Sequence, residues 1–300
     1  MDKNSGTHPP VIDYEGSDYQ TSFWKEGGRE YEDRCEQIAL KRLLPDDGEL
    51  LLEIGAGAGR NTPRYKGFKR VVLLDYSLTQ VQQAQEYLGK SDKYVYVAGD
   101  IYRLPFVDNL FDGATMIRVL HHMQDPASAL QQIGRALMPT SPFLLEYANK
   151  QNLKAILRYW LGRQEWNPFS LEAVEFEKLN FDFHPKNVKE LLTEASFKLE
   201  RLLTVSHFRI NFLKKWAPTG ILVALDSIFQ YTGNWWQLSP SVFSRSISEK
   251  KTFDQPRKGF FQCPACKNPL PEAESGAEKL VCPSCSKIYP VVDGIYDFRY

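Results

Sequence analysis

An apolar strand that leads into three alternating glycines constrains this chain more than any other feature of its 300 residues. The strand Leu51–Ile54 is followed by Gly55, Gly57 and Gly59. Because glycine has no Cβ, a turn of this kind lets a flat, polar cofactor lie against bare backbone. A dinucleotide-binding fingerprint also requires glycine at the sixth position of the turn, where this chain has Arg60. The spacing therefore disfavours a dehydrogenase.

Strands and helices alternate after the glycine turn, and polar residues follow the strands. The predicted strands are 71–74, 94–98, 111–120 and 143–147, and the polar residues near their ends are Asp75, Asp100, Arg118, His121 and His122. This alternation predicts a parallel sheet whose ligand lies outside the carboxyl ends of the strands. A carboxylate there can accept both ribose hydroxyls of an adenosine, although Asp75 could instead cap a helix or end a solvated strand. The polar residues should therefore converge on one sheet edge.

The segments Leu51–Arg60, Asp75, Gly99–Asp112 and Val119–Pro126 together resemble the methyltransferase type 11 family, over roughly residues 45–150. The family belongs to the class I methyltransferases, which use S-adenosylmethionine. The resemblance implies an α/β fold with a doubly wound, mostly parallel, seven-stranded Rossmann-like sheet and helical insertions. This chain departs from the family at Glu53, where aspartate is usual, and at residues 139–142, where relatives often have a glycine after the proline.

The resemblance also implies a set of cofactor-binding residues. The glycines would pack on the cofactor, Glu53 would orient its amino acid end, Asp75 would bind the ribose, and Asp100 with the backbone of Ile101 would meet the adenine. The full set is Glu53, Gly55, Ala56, Gly57, Gly59, Asp75, Tyr76, Asp100, Ile101 and Arg118.

Methyl transfer from a sulfonium needs little catalytic machinery besides alignment, exclusion of water and, for some acceptors, removal of a proton. His121 and His122 are the best candidates for a general base, because they follow a strand beside the cofactor site and histidine titrates near neutral pH. In an extended segment they would point to opposite sides, so at most one would face the acceptor. Each could instead bond to backbone at the strand end. Tyr147 and His184 are weaker candidates for the same cavity.

Outside the family core, the N-terminal segment and the insertions are predicted to be helical, and two further strands are predicted at 199–208 and 239–248. Residues 1–44 would form an N-terminal helical lid, although Trp24 and Tyr31 could simply cover a sheet end, and Cys35 fits a helix core position. Residues 45–254 would form the methyltransferase domain, with insertions at about 150–184 and 211–238. All six tryptophans lie outside 45–150. They are expected to build an aromatic cap over the acceptor, or else to be ordinary core residues.

Four of the five cysteines form two closely spaced pairs near the C-terminus: Cys263, Cys266, Cys282 and Cys285. Two such pairs are typical of a structural zinc site, although redox dithiols or an iron site would use the same residues. Zinc would supply folding energy to a module of residues 255–300, which is too small for its own core. With the hairpin signal at Asp293-Gly294, the module resembles a small zinc-ribbon family of methyltransferase activators. It is expected to dock on the catalytic domain within the same chain, covering apolar surface or shaping the acceptor entrance.

Composition limits the partners of the chain. With 37 basic and 37 acidic side chains, the formal net charge is zero and gives no global attraction to nucleic acid or anionic membrane. No apolar run approaches the roughly 20 residues of a membrane span, and no signal peptide is visible, so a cytoplasmic protein is expected. The favoured function is methylation of a small or medium-sized, partly apolar metabolite. The alternatives are an RNA or protein methyltransferase with an activator-like ribbon, and a cofactor-binding scaffold without catalysis.

Overall fold

A mostly parallel sheet forms the centre of the protein. The computed structural model describes residues 9–10, 15–16, 28–251, 259–272 and 276–299. The strands are β1 Gly48–Ile54, β2 Phe68–Asp75, β3 Tyr94–Ala98, β4 Gly113–Met116, β5 Pro142–Ala148, β6 Val174–Glu177, β7 Asn180–Asp182, β8 Phe197–Val205, β9 Ser241–Ser248, β10 Lys279–Val281, β11 Ile288–Val292 and β12 Ile295–Asp297. The helices are α1 Glu30–Leu43, α2 Leu78–Leu88, α3 Pro126–Ala136, α4 Leu153–Trp160, α5 Pro185–Glu194, α6 Asn211–Trp216 and α7 Thr219–Phe229.

The predicted seven-stranded methyltransferase sheet is confirmed in the order β3-β2-β1-β4-β5-β9-β8. Strands β1 to β5 are parallel to one another, whereas β9 runs antiparallel to both β5 and β8. The chain order reverses between β1 and β4, because β1 pairs with β2 on one side and with β4 on the other. This switch point opens a crevice at the carboxyl ends of the two strands.

The sheet does not stop at seven strands, which corrects the prediction. Strands β10, β11 and β12 of the C-terminal module extend it to ten. Strand β12 pairs in parallel with β3, and the Phe298 N–H donates to the Ala98 carbonyl at 2.7 Å. Without this pairing β3 would be an exposed edge strand, and such an edge invites association with other chains. The module therefore completes the sheet.

Helices cover both faces of the sheet. Helices α3 and α5 lie on one face, where their apolar residues share a core with β1, β4 and β5. The C-terminal module packs into the same core: the Phe261 ring stacks on Phe106 with centroids 5.8 Å apart. Helices α1, α2 and α7 lie on the other face. Cys35 of α1 is fully buried there, as its helical spacing predicted.

The N-terminal segment shows a packed helix where a lid was expected. Helix α1 lies against α7, and Tyr31 is only 2% exposed. The Tyr31 hydroxyl donates to Asp226 at 2.8 Å and accepts from the Phe208 N–H at 2.9 Å. Tyr31 is thus a structural anchor. Trp24 and the rest of the predicted lid, residues 1–8, 11–14 and 17–27, lie outside the described residues.

Two predicted elements are shorter than expected. The strand predicted over 111–120 is confined to β4, and a 3-10 helix, Leu120–His122, follows it. The continuous helix predicted over 211–236 is divided at Pro218 into α6 and α7, because the residue before a proline avoids helical geometry. Among the described residues, no helix is both long and apolar enough to span a bilayer.

Candidate functional site: a glycine cradle with an adjacent polar cluster

The glycine turn closes the carboxyl end of β1 against β2. The N–H groups of Gly55 and Ala56 both donate to the Leu74 carbonyl, at 2.8 and 3.1 Å. Gly55 has φ +65°, and a Cβ there would lie 2.1 Å from Val119 Cγ2. Gly57 has φ +52°, and a Cβ there would meet only Gln80 Oε1, at 3.7 Å. Gly55 is therefore required for close packing, whereas Gly57 faces open space and can admit a ligand.

Gly59 does not face that open space. A Cβ on Gly59 would lie 3.0 Å from Leu88 Cδ1 and 3.3 Å from the Cβ of Ala84, both on α2. The three glycines thus serve different purposes, and only Gly57 offers bare backbone to a cofactor. We call the open space beside Gly57 the glycine cradle.

Asp75 lies at the rim of the glycine cradle. Its Oδ2 accepts the Gly57 N–H at 2.8 Å, and its Oδ1 accepts the Ser77 N–H at 3.0 Å. The two bonds fix the carboxylate at the end of β2, next to the half-buried Tyr76. Asp75 also ends β2 directly before α2, for which Ser77 is the N-cap. The helix-capping role that the sequence analysis considered for Asp75 is therefore filled by Ser77.

Asp100 lies at the same sheet edge as Asp75. The Gly99 N–H donates to the Asp75 carbonyl at 2.9 Å, so the ends of β2 and β3 are held together. Asp100 is 4% exposed, and its Oδ1 accepts the Tyr102 N–H at 2.9 Å, which caps a 3-10 helix beginning at Ile101. The structure thus places the residues predicted for ribose and adenine on adjacent strands and on one side of the molecule.

Glu53 is buried beneath the glycine turn. It is 4% exposed, and the Thr62 hydroxyl donates to its Oε2 at 2.6 Å. Burial raises the pKa of the Glu53 carboxyl to about 7, although Thr62 and Tyr65 hydrogen bonds favour the charged form. Glu53 is therefore partly protonated at neutral pH, and a cation brought next to it would favour its ionised form.

A buried ion network ties α1 to the two loops that end β1 and β4. Glu36 of α1 has a fully buried side chain; its Oε1 accepts Arg118 Nε at 2.7 Å and its Oε2 accepts an Arg60 amino group at 2.8 Å. Asp33, one turn earlier, pairs with Arg60 and with Arg64. Burial opposes ionisation of Glu36, but Arg118 and Arg60 outweigh it and lower the pKa of the Glu36 carboxyl.

Arg118 is fixed by contacts of both its backbone and its side chain. Its φ of +61° is unusual for a residue with a side chain, and its N–H donates to Glu146 Oε2 at 2.9 Å. Its guanidinium pairs with Glu36. These contacts hold Arg118 between α1 and β5, directly before Val119, which touches Gly55.

The two candidate histidines lie side by side. The sequence prediction placed them on opposite sides of an extended segment, which is wrong because they lie in a 3-10 helix; their ring centroids are 4.0 Å apart. His122 Nδ1 is 3.4 Å from the Leu179 carbonyl of the β6–β7 hairpin. His121 Nδ1 is buried and has no hydrogen-bond partner within the described part of the chain. Burial and the neighbouring His122 lower the pKa of His121 well below 6.5, so its imidazole is neutral at pH 7.

Acidic and basic side chains that the sequence analysis missed surround the histidines. Glu146 of β5 is 3% exposed and accepts the Ser241 hydroxyl at 2.6 Å; burial raises its pKa. Burial also raises the pKa of Asp182, on β7, to about 6, against the opposing charges of Arg209 and Lys150. Glu146 could have been suspected, as the single charge within the apolar segment 142–148. The others come from insertions with no recognisable pattern.

Tyr147 and His184 belong to a different cavity. They line a space of about 470 Å³ next to α5 and β8, together with Lys186 and Arg201. His184 Nδ1 accepts the Lys186 N–H at 3.1 Å and so caps α5. His121 and His122 do not line this space. The prediction that Tyr147 and His184 share the histidines' cavity is therefore wrong.

Most of the tryptophans are not core residues, which was the alternative to an aromatic cap. Four of them are mainly exposed: Trp160, Trp216, Trp235 and Trp236. The reason is that the helices on which the insertions are built turn other, smaller residues inward. Trp166 is half-buried near Lys150, and Trp24 lies outside the described residues.

The four C-terminal cysteines converge as predicted. Their Sγ atoms all lie within 4.8 Å of one another, and the Cys263–Cys285 and Cys266–Cys282 separations are 3.6 and 3.4 Å. A tetrahedral zinc with Zn–S bonds of ~2.3 Å would space its sulfurs ~3.8 Å apart. The cluster therefore fits a tetrathiolate metal site, and the Tyr289 hydroxyl lies 3.0 Å from Cys263 Sγ.

Comparisons with known families divide the chain in the same way as the structure. Residues 52–145 match a methyltransferase domain, and residues 260–294 match the Trm112p-like proteins. The first match contains the glycine cradle and both histidines, and the second contains all four clustered cysteines.

Curated relatives match the methyltransferase half. An O-methyltransferase of Penicillium expansum is 30% identical over 149 residues, 46% of this chain and 54% of the relative. A demethylmenaquinone methyltransferase of Corynebacterium kroppenstedtii is 37% identical over 100 residues, 33% of this chain and 42% of the relative. The matched part thus spans about half or less of these relatives.

Solved structures share the fold at low sequence identity. A complex between the Haloferax volcanii Trm112 methyltransferase activator and a candidate methyltransferase matches with a TM-score of 0.55 and 17% identity, covering 77% of this chain and 96% of the other. A candidate S-adenosylmethionine-dependent methyltransferase from Listeria monocytogenes matches with a TM-score of 0.52 and 15% identity, covering 73% and 99%. The chain therefore has the methyltransferase fold.

Proposed function

Because the chain joins a methyltransferase domain to a Trm112p-like module, we propose that it transfers a methyl group from S-adenosylmethionine to a small or medium-sized, partly apolar metabolite. The observation that carries the proposal is the glycine cradle. Gly57 presents bare backbone to open space, and Asp75 is hydrogen-bonded to the same residue at the rim. A site of this shape suits the adenosine end of the cofactor.

The residues around the cradle divide the binding of the cofactor between them. Asp75 binds the ribose hydroxyls, because its carboxylate is held at the end of β2. Asp100 and the Ile101 backbone bind the adenine at the end of β3. Glu53 pairs with the cofactor's ammonium group, which compensates the cost of a buried carboxylate charge.

When bound, S-adenosylmethionine supplies a methyl group already activated by a sulfonium. For an acceptor that must lose a proton during the transfer, His121 would receive that proton. Burial keeps the His121 ring neutral at pH 7, and its Nδ1 has no partner within the described residues, so a ring nitrogen is available to accept this proton. His122 bonds to Leu179 and positions the hairpin beside it.

The proposed acceptor class rests on the relatives and on the polar side chains near the histidines. The relatives include an O-methyltransferase and a demethylmenaquinone methyltransferase, which suggests an oxygen or ring-carbon acceptor on a small molecule. Buried Glu146 and half-buried Asp182 supply polar anchors near the histidines. An RNA or protein acceptor is the second candidate, favoured by the Trm112-like module and its structural neighbour.

Structural zinc is the proposed metal, held by Cys263, Cys266, Cys282 and Cys285. Four thiolates leave no open coordination position, so the ion stabilises the module without entering the reaction. The Trm112-like module is proposed to act within the chain, through β12.

Calorimetric titration with S-adenosylmethionine tests the cofactor proposal. We expect binding by the wild type and at least tenfold weaker binding by Asp75→Ala. Asp112→Ala is the matched control, because Asp112 also accepts two backbone N–H groups, from Glu49 and Leu50, but at the opposite ends of the strands. Equal losses in both variants, or no binding by the wild type, would remove the basis for the proposal.

Incubation with methyl-labelled cofactor and fractionated cell extract tests the acceptor class. Label in small molecules supports the proposal, whereas label in RNA or protein supports the second candidate. Binding of the cofactor without transfer to any fraction would identify a non-catalytic scaffold.

A further inference from the structure

Two helices carry apolar stripes on their outward sides with the same spacing. The stripes consist of Leu153, Leu157, Trp160 and Leu161 on and after α4, and of Ile221, Leu225, Ile228 and Phe229 on α7. A stripe at this spacing normally packs on the core. Here the core side of each helix is formed by other residues: Ala155 and Ile156 on α4, Leu222 and Val223 on α7. The outward stripes therefore do not contribute to the packing of the domain core.

Aromatic residues extend this surface. Phe212 and Trp216 of α6 project outward, as do Tyr231, Trp235 and Trp236 after α7. Trp235 is 79% exposed, Trp216 is 72% exposed and Trp160 is 70% exposed. The Leu153 N–H donates to the Leu238 carbonyl at 2.8 Å, so α4 begins where this segment ends. We call the outward residues of α4, α6, α7 and 230–238 the aromatic face.

The exposed charged residues on α4 and α6 are positive, and the first exposed acid beyond α4, Glu165, lies two residues after Arg163. Lys154, Arg158, Arg163 and Lys215 are exposed, and none of them pairs with an acid in the described ranges. The single acid in 152–164 and 209–238 is Asp226, which is fully buried and bonded to Tyr31 and His207. A chain with zero net charge thus gathers cations beside its largest exposed aromatic side chains.

We propose that the aromatic face binds the surface of a lipid bilayer that contains anionic phospholipids. Tryptophan and tyrosine favour the boundary between headgroups and acyl chains, and lysine and arginine beside them attract anionic headgroups. A symmetric contact with a second copy of the chain would instead oppose cation to cation, because a two-fold interface places each patch against itself. The charge pattern therefore complements a membrane and not another copy. This inference does not depend on the proposed methyl transfer.

Sedimentation with vesicles tests the proposal. We expect the full chain to sediment with phosphatidylcholine vesicles containing phosphatidylserine, more weakly with phosphatidylcholine alone, and less at high salt. Lys154→Glu combined with Arg158→Glu should weaken binding to the anionic vesicles by at least about 25-fold, since each cation near the surface contributes about fivefold. Trp216→Ala combined with Trp235→Ala should also weaken binding, and unchanged thermal unfolding would show that the fold is intact.

Tyr87→Ala is the matched control, because Tyr87 of α2 is 66% exposed but lies outside the aromatic face. The control should bind vesicles like the wild type. The proposal is overturned if the wild type binds neither vesicle, or if the tryptophan variant and Tyr87→Ala lose binding equally. It is also overturned if the chain binds RNA and not vesicles, or if light scattering shows a dimer that Trp216→Ala disrupts. All measurements are made without cofactor, so their failure leaves the methyl-transfer proposal untouched.

Discussion

Replacing Glu36 by glutamine probes the ion network that holds the site together. Glu36→Gln keeps the shape of the side chain but leaves the Arg60 and Arg118 guanidinium groups facing a neutral amide in a buried position. Breaking a buried ion pair by removing one partner costs about 3–5 kcal/mol of stability. For a domain of this size, each kcal/mol lowers the unfolding temperature by about 2–4 °C, so a decrease of about 6–20 °C is expected.

Thermal unfolding measured by circular dichroism at neutral pH is the assay, and Glu30→Gln is the control. Glu30 is on the same helix, but its side chain is 70% exposed and pairs only with Arg34 at the surface; its loss should cost under about 0.5 kcal/mol. The pH dependence has a definite sign. Because the arginines lower the pKa of Glu36, its stabilising contribution is present above the ordinary glutamate pKa and is lost on acidification. Equal unfolding temperatures for both variants would refute the reasoning.

Three further outcomes are expected. Because the pKa of Glu53 is about 7, only about a tenth of this carboxyl is ionised at pH 6, compared with about half at pH 7. S-adenosylmethionine should therefore bind about fivefold more weakly at pH 6 than at pH 7, and Glu53→Gln should abolish the difference. A flat pH profile for the wild type would contradict the role of Glu53. Gly57→Val and Gly89→Val should be destabilised alike, since both glycines have positive φ, but only Gly57→Val should lose cofactor binding in calorimetry. Elemental analysis should give one zinc per chain. Cys263→Ser should lower the unfolding temperature of the whole protein in a single transition, because Cys263 lies in the core shared with the catalytic domain. A separate, earlier transition would show that the module unfolds independently.

The sequence predicted the central sheet well, and it brought the polar residues at the strand ends to one edge. The alternation of apolar strands and helices is a local signal, and the ends of parallel strands must lie at one edge. For this reason Asp75 and Asp100 could be placed together without a structure. The clustering of the four cysteines could also be predicted from the sequence, because their paired spacing has few interpretations.

Tertiary packing determines the features of the site that could not be predicted from the sequence. Arg60 served only to exclude a dinucleotide, yet in the structure it joins the network around Glu36, and no spacing rule links residues so far apart along the chain. The histidines were misplaced because four residues at the end of the predicted fourth strand are instead a turn and a 3-10 helix. The outward stripe on α7 was not foreseen, since periodicity reports amphipathicity but not which side of a helix meets the domain.

The parallel pairing of β12 with β3 has a consequence for the ratio of the C-terminal module to the methyltransferase domain in the cell. When such a module is a separate polypeptide, as in the Haloferax volcanii complex, occupancy of the edge depends on the abundance of both chains. Here the two strands share one backbone, and a short tether gives a local concentration of about millimolar. The stoichiometry is thus fixed at translation, and dilution does not separate the strand from the edge that it covers.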